Sequence, residues 1–219
     1  MSLAVFYTLL TDPISAARYQ EQLLLLPAPV RERIRRYTLE PDRRRRIAGK
    51  CLLRYALKQL GFYPALSLDD YRQQEGQRPY MAGSTLQFSI AHSGNMVVCA
   101  VSEEYPCGID AEQILPVQLA SMSSYFDAGS WQEIRTAADP VIQFYRHWTM
   151  REASLKAAGL GLHQIELADI RVQGNQVCIG PATYPTRFLD LHGDYMVCMA
   201  MEREPADITI YGLEEAQLF

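Results

Sequence analysis

Trp148, Glu152 and Lys156 recur at intervals of four residues within WTMREASLKAAGLGL (Trp148 to Leu162), a stretch that reads as an amphipathic helix closed by Gly159 and Gly161. One face of that helix then carries an aromatic ring, a carboxylate and an ammonium in line. Two chemistries fit this spacing. One is an i,i+4 Glu–Lys pair on a solvated face. The other is a metal-binding acid beside a phosphate-binding cation, with the tryptophan anchoring the helix to a core. Asp110 and Glu112 stand two residues apart in the extended segment GIDAE (Gly108 to Glu112), so both project to one side. Taken alone they suit a solvated strand end. Joined by Glu152 from the helix, they make an all-oxygen site for magnesium or manganese, ions that keep several waters and bind substrate phosphates. His92, in SIAHSGN, falls at the end of a strand and in a turn, where it is either structural or a phosphate donor.

A second group is cationic. Of the 21 Lys and Arg residues 18 are arginines, and eight of these lie between Arg31 and Arg46 in RERIRRYTLEPDRRRR. Arginine forks suit phosphate oxygens. The chain as a whole carries a formal charge of −4, so one basic patch on an acidic protein fits a compact polyanion better than a nucleic-acid duplex.

The elements that must position these groups follow from periodicity. A strand is predicted at 4–10, then a helix at 13–26 broken by Pro27 and Pro29. A second helix covers 44–60, from Ile47, Cys51, Leu52, Tyr55 and Leu57 to the stop at Gly61. The turn-like EGQRPY (75–80) leads to strands at 86–90 and 96–101 about the small turn AHSGN. The second half is expected to hold a helix at 119–126, a loop at 137–140, the Trp148 helix, and strands at 170–172, 176–179 and 195–201. MVVCAVSEEYPCGID (Met96 to Asp110) lies over MVCMAMEREPADIT (Met196 to Thr209) at an offset near 100, with one residue missing in the second copy, and helices beginning at Arg45 and Arg146 match at nearly the same offset. This weak repeat predicts an α+β fold of two similar α/β lobes, 1–112 and 120–219, joined by a linker at 113–119 and related by a pseudo-twofold. A ligand site in the cleft between the lobes is the natural expectation.

Bulk properties are those of a soluble globular chain. The 219 residues are 48% apolar, enough for one large domain or two small ones. No basic leader and no membrane-length apolar run is apparent, which predicts a cytoplasmic protein. Five cysteines without CxxC spacing read as buried free thiols rather than disulfides or a zinc site.

Three motifs, FSIAHSG (Phe88 to Gly94), GIDAE and FYRHWTMREASLKAAGLGL (Phe144 to Leu162), occur in an order and spacing that resembles the 4′-phosphopantetheinyl transferases, in particular the two-lobed Sfp-type enzymes that activate peptide and polyketide synthetases. The resemblance runs nearly end to end. It implies that coenzyme A binds between the lobes, that Mg²⁺ (or Mn²⁺) bridges its pyrophosphate, and that the phosphopantetheine arm passes to a serine of an apo acyl or peptidyl carrier protein. By the same resemblance the metal ligands fall on Asp110, Glu112 and Glu152, the pyrophosphate-binding lysine on Lys156 and the motif histidine on His92. The clamp on the adenosine 3′-phosphate falls on Arg33, Arg45 and Arg46, with Arg78 at the Gly-Lys/Arg-Pro motif. Glu152, Lys156 and His92 are then the expected catalytic side chains. Attack by serine on the β-phosphorus and departure of adenosine 3′,5′-bisphosphate both concentrate charge on phosphate oxygens, so positioning and electrostatic stabilisation suffice and no protein nucleophile is needed.

The chain departs from the family pattern at Ala91 (commonly serine), Arg151 (usually lysine), Gln77 (usually glycine) and Ser130, where many relatives carry glutamate. Glu152, a metal-bound water or, more weakly, Glu133 would have to serve as base. A monomer that binds neither nucleic acid nor membrane is expected, with the carrier docking near 117–128. The alternative is a non-catalytic coenzyme A- or nucleic-acid-binding protein on a degenerate copy of the fold.

Overall fold

The computed structural model describes residues 3–11, 16–74, 76–160, 170–204 and 207–219. The first turn of the helix expected from residue 13, Glu75 of the turn-like segment, and Gly161 at the end of the Trp148 helix lie outside the described residues. The order of elements is β1 (Leu3–Leu9), α1 (Ala16–Leu24), α2 (Ala28–Arg35), α3 (Glu40–Gln59), β2 (Tyr71–Arg72), β3 (Tyr80–Met81), β4 (Gln87–Ser93), β5 (Met96–Ser102), β6 (Cys107–Gln113), α4 (Ala128–Thr136), α5 (Pro140–Ala158), β7 (Ile170–Gln173), β8 (Gln176–Ile179), β9 (Ala182–Phe188), β10 (Tyr195–Met201), β11 (Ile208–Leu213) and α6 (Glu215–Leu218). Among the described residues no helix is long and apolar enough to cross a membrane.

Two sheets stack face to face, with orders β11-β1-β5-β4 and β6-β10-β9-β8-β7. Strand alternation sorts the side chains between them. Leu3, Val5, Met96, Val98 and Ala100 meet Cys107, Ile109, Ala111, Val197 and Met199 in a core between the sheets. The opposite face of the first sheet, through Phe6, Val97, Cys99 and Val101, packs on α3 through Ile47, Cys51 and Leu52. The opposite face of the second, through Cys198 and Ala200, packs on α5 through Met150, Ala153 and Ala157. The layers therefore run α3, sheet, sheet, α5.

The expected mixed α/β fold of two lobes is present, with an exchange of strands: β6 hydrogen-bonds to β10, and β11 runs parallel to β1 with Leu3 opposite Ile208. The repeat is in register once the residue missing from its second copy is allowed for. At an offset of 99, Val98 and Val197 both point between the sheets, and Cys99 and Cys198 both face a helix. The offset of 100 would invert every side chain, because strand faces alternate residue by residue.

Several bounds differ from expectation for local reasons. α3 begins four residues before Arg44, with Pro in its first turn and Glu40 and Asp42 at its positive end, so the run Arg43 to Arg46 is helical. α5 begins eight residues before Trp148, because the Asp139 carboxylate caps the amides of Val141 and Ile142 and Pro140 opens the helix. It ends at Gly159 with φ of 75°. The helix expected at 119–126 is a 3₁₀ helix over Leu119–Tyr125. β4 runs on through His92 to Ser93, so the histidine lies in the strand and not in the turn.

Candidate active site

The register of β6 delivers its carboxylates to α5. With Cys107, Ile109 and Ala111 committed to the core between the sheets, Gly108, Asp110 and Glu112 must face the helix. Gly108 is where the two elements meet: a Cβ there would overlap the Ala153 carbonyl and the Ala157 amide. This contact brings Lys156 over the strand, where its Nζ donates to Asp110 Oδ1 at 2.6 Å and to the Ile109 carbonyl at 3.1 Å. Asp110 is 5% exposed, and its second oxygen, Oδ2, is buried with no hydrogen-bond partner.

Glu112 is held from the other side. Ser93 Oγ on β4 donates to Glu112 Oε2 at 2.6 Å and accepts the Gln113 amide at 3.1 Å. One turn of strand earlier, Ser89 Oγ accepts the Ile109 amide at 3.1 Å. Two serine hydroxyls thus stitch β6 to β4 in place of a backbone ladder. Trp148 lies near enough to Glu112 to favour its charged form. It also packs in an aromatic cluster with Phe126 and Phe144, so it anchors the helix as the sequence suggested and supports the acid as well.

Electrostatics follow from three carboxylates around one ammonium. Burial works against the charge on Lys156, but Asp110 and then Glu152 and Glu112 outweigh it and raise its pKa. Burial, reinforced by the Asp110 charge, pushes Glu152 up to about 7. Glu112 is raised by burial and by Asp110, against the hydrogen bond from Ser93. An excess of buried negative charge with an orphaned carboxylate oxygen fits a hard divalent cation with oxygen ligands. As the side chains stand, no group of three or more His, Cys, Asp and Glu among the described residues is gathered closely enough to hold one.

Lys156 also faces a cavity of about 350 Å³, lined with Arg46, Lys50, Arg78 and His92. Burial, then the Arg46 charge, lowers the His92 pKa to about 4, so its imidazole is neutral near pH 7. A second cavity of about 490 Å³ adjoins the first, shares Arg46, Lys50, Tyr71 and Gln73 with it, and adds Arg33 and Tyr37. Arg46 lies 3.7 Å from the centre of the Tyr37 ring.

The arginines expected to act together are divided. Arg33 and Arg46 line the second cavity. Arg45 lines neither, since it donates to the Gly94 carbonyl at 3.0 Å and pairs with Asp42 at 2.5 Å. Arg78 lines the first cavity, but its terminal nitrogens donate to the carbonyls of Ala157, Phe88 and Cys107, tying α5, β4 and β6 together. Ser130 belongs to another cluster. Its hydroxyl donates to Asp127 Oδ2 at 2.6 Å at the start of α4, and Asp127 lies 4.0 Å from Arg151. Glu133 is paired with the buried His147 at 3.3 Å. Lys50 was missed in the sequence, although its position one helical turn beyond Arg46 was a usable signal. The stitching serines left no such signal.

A helix-on-sheet acid site opening on a cation-lined cavity has the chemistry to take a phosphate-bearing ligand. The family description "4′-phosphopantetheinyl transferase superfamily" matches residues 106–200, and "4′-phosphopantetheinyl transferase, N-terminal" matches 13–104. A 4′-phosphopantetheinyl transferase of Bacillus subtilis is 34% identical over 155 residues, covering 68% of this chain and 67% of that protein. The transferase Sfp of Bacillus subtilis strain 168 is 26% identical over 213 residues, or 93% and 95% of the two chains. The transferase HetI of a Nostoc species is 35% identical over 147 residues, or 63% and 61%. The chain belongs to the 4′-phosphopantetheinyl transferase superfamily.

Proposed function

We propose that this protein transfers the 4′-phosphopantetheine arm of coenzyme A to a serine of an apo acyl or peptidyl carrier protein, with release of adenosine 3′,5′-bisphosphate. The observation that carries the reading is the junction at Lys156: one ammonium belongs both to the acid site on β6 and α5 and to the cation-lined cavity. A ligand with a diphosphate at that junction meets Lys156 and the neutral His92, while its remaining phosphate lies among the cations of the adjoining cavity.

Asp110, Glu112 and Glu152 would hold a divalent cation, Mg²⁺ by preference, which when bound supplies Lewis-acid charge to the diphosphate oxygens. In the transfer, the serine oxygen forms a bond to the β-phosphorus and the bond from that phosphorus to the bridging oxygen breaks. Lys156 stabilises the charge that builds on the departing phosphate. His92 donates a hydrogen bond to a phosphate oxygen. Glu152 is the carboxylate we assign to accept the serine proton, because Ser130 and Glu133 are engaged with Asp127 and His147. Because the site draws on both lobes of one chain, a monomer suffices, and we place it in the cytoplasm.

The test is intact mass spectrometry of an apo carrier protein after incubation with coenzyme A, Mg²⁺ and this protein. A mass gain of one phosphopantetheine, absent with chelator, is expected. No gain on peptide, polyketide or fatty-acid carriers, with coenzyme A binding retained, would leave a binding protein and overturn the reading.

A further inference from the structure

The turn between β4 and β5 is held by three elements at once. β4 stands at the edge of the first sheet, paired with β5 on one side and stitched to β6 through the Ser89 and Ser93 hydroxyls on the other. Ser93, its last residue, is the one that donates to Glu112. The placement of that hydroxyl therefore depends on what fixes the two-residue turn Gly94–Asn95 that follows. From the first lobe, the Asn95 carbonyl accepts the Leu10 amide at 2.9 Å and the Gly94 carbonyl accepts Arg45 of α3 at 3.0 Å. From the second lobe, Tyr195 at the start of β10 reaches across, and its hydroxyl accepts the Asn95 amide at 3.0 Å. Tyr195 is itself well seated. Its ring packs against the core between the sheets and edge-on to His192 at 5.7 Å, and its backbone lies opposite Gln113, next to Glu112. The turn fits closely around it. Gly94 has φ of 52°, and a Cβ there would collide with the Tyr195 hydroxyl and with Gln113 Oε1. The strand pair β6–β10, which carries Glu112, thus also carries the group that holds the end of β4.

We propose that Tyr195 is a positioning residue for transfer: by holding the Asn95 amide it fixes the end of β4 against β6 and keeps the Ser93 hydroxyl on Glu112. The inference rests on the function proposed above. Tyr195 lines neither of the two cavities, so it acts through the turn and not on the ligand. A ring locked against a core places its hydroxyl with little freedom, which suits a group that sets the position of another.

The test compares the wild-type protein with Tyr195→Phe, Ser93→Ala and the double variant. Phenylalanine keeps the ring in its seat and removes the hydroxyl, and melting curves verify that each variant is folded. In the ligand-free protein, NMR amide exchange at Asn95 should be about tenfold faster in Tyr195→Phe, with the amides of β10 unchanged. The transfer rate at saturating coenzyme A and carrier should fall by about three- to tenfold, with KM for the carrier within about twofold of wild type. In the Ser93→Ala background the same substitution should cost less than about twofold, because the turn then has no hydroxyl left to place. An unchanged transfer rate, unchanged exchange at Asn95, or a full loss repeated in the Ser93→Ala background would overturn the assignment. A wild-type protein that modifies no carrier would instead overturn the proposed function, while the exchange result still reports the hold on the turn, so the two failures are separable.

Discussion

The two helix-on-sheet interfaces are built alike and charged in opposite senses. α3 crosses its sheet and turns Arg46 and Lys50 toward the cavities with no acid among the described residues to neutralise Lys50; α5 crosses the other sheet and joins Glu152 to Asp110 and Glu112 around a single lysine. Each interface is left with surplus charge, and the surpluses are complementary to the two ends of a metal–phosphate ligand. Packing supplies the scaffold in both cases, but the buried charges are set by what each lobe must hold. A glycine marks each contact: Gly49 on α3 against the Ile90 side chain, and Gly108 on β6 against the backbone of α5.

Removing charge from the acid interface should have the largest effect. Asp110→Asn and Glu152→Gln should each slow carrier modification by about 10²–10³-fold, the scale of losing a preorganised electrostatic group. Transfer rates from mass spectrometry measure this, and rates within threefold of wild type would show that the acids on α5 and β6 are not the working site.

The glycine contacts should respond next, and unequally. Gly108→Ala drives a methyl into backbone and should cost about 3 kcal/mol or more of stability in denaturant unfolding. In Gly49→Ala the new methyl meets Cγ2 of Ile90 at 2.9 Å, a branch methyl that moves only if the stiff χ1 of that residue changes. The gain of about 1 kcal/mol in helix propensity then offsets part of the crowding, so the loss should be smaller than at Gly108. Equal losses would mean that the interfaces are not as different as their contact atoms indicate.

Ser93→Ala leaves the Gln113 amide and one Glu112 oxygen without a partner and should cost about 1–3 kcal/mol, with Ser93→Thr milder. Thermal melts decide it.

The pH dependence of stability should have opposite signs at the two interfaces. Glu152 is raised from the usual 4.5 to about 7, so the folded state holds more protons in that window and stability falls as pH rises through it. Lys50 is lowered from 10.5 to about 8, so the unfolded state holds more protons there and stability rises with pH between those values. Melting curves of the ligand-free protein should lose the first slope in Glu152→Gln and the second in Lys50→Met. Slopes that persist in the variants would assign the protons elsewhere.

Much of the acid site was legible because it depends on local periodicity: i,i+2 on a strand for Asp110 and Glu112, i,i+4 on a helix for Trp148, Glu152 and Lys156. The arginines were legible as a cluster but not as individuals. A guanidinium on a long stem is claimed by whichever acceptor the tertiary fold brings near, and for Arg45 that was Gly94 and Asp42. The Asp139–Pro140 start of α5 carried a cap signal that could have been read as helix instead of loop. β9 and β11 were missed: β9 contains a proline, Pro185, and β11 is half exposed, so neither has a clear alternation. The exchange of β6 and β11 between sheets is a matter of topology, which strand patterns do not encode.

That exchange bears on how the chain is made. β1 lies near the start of the sequence and pairs on one side with β5 and on the other with β11, Leu3 opposite Ile208. As the polypeptide leaves the ribosome, β5 soon covers one edge of β1, but the other stays open until β11 has been synthesised. The first sheet therefore begins before the second and is completed after it. During that interval a strand edge is free to pair with another nascent chain, so the protein's yield in a cell will depend on how quickly translation reaches β11.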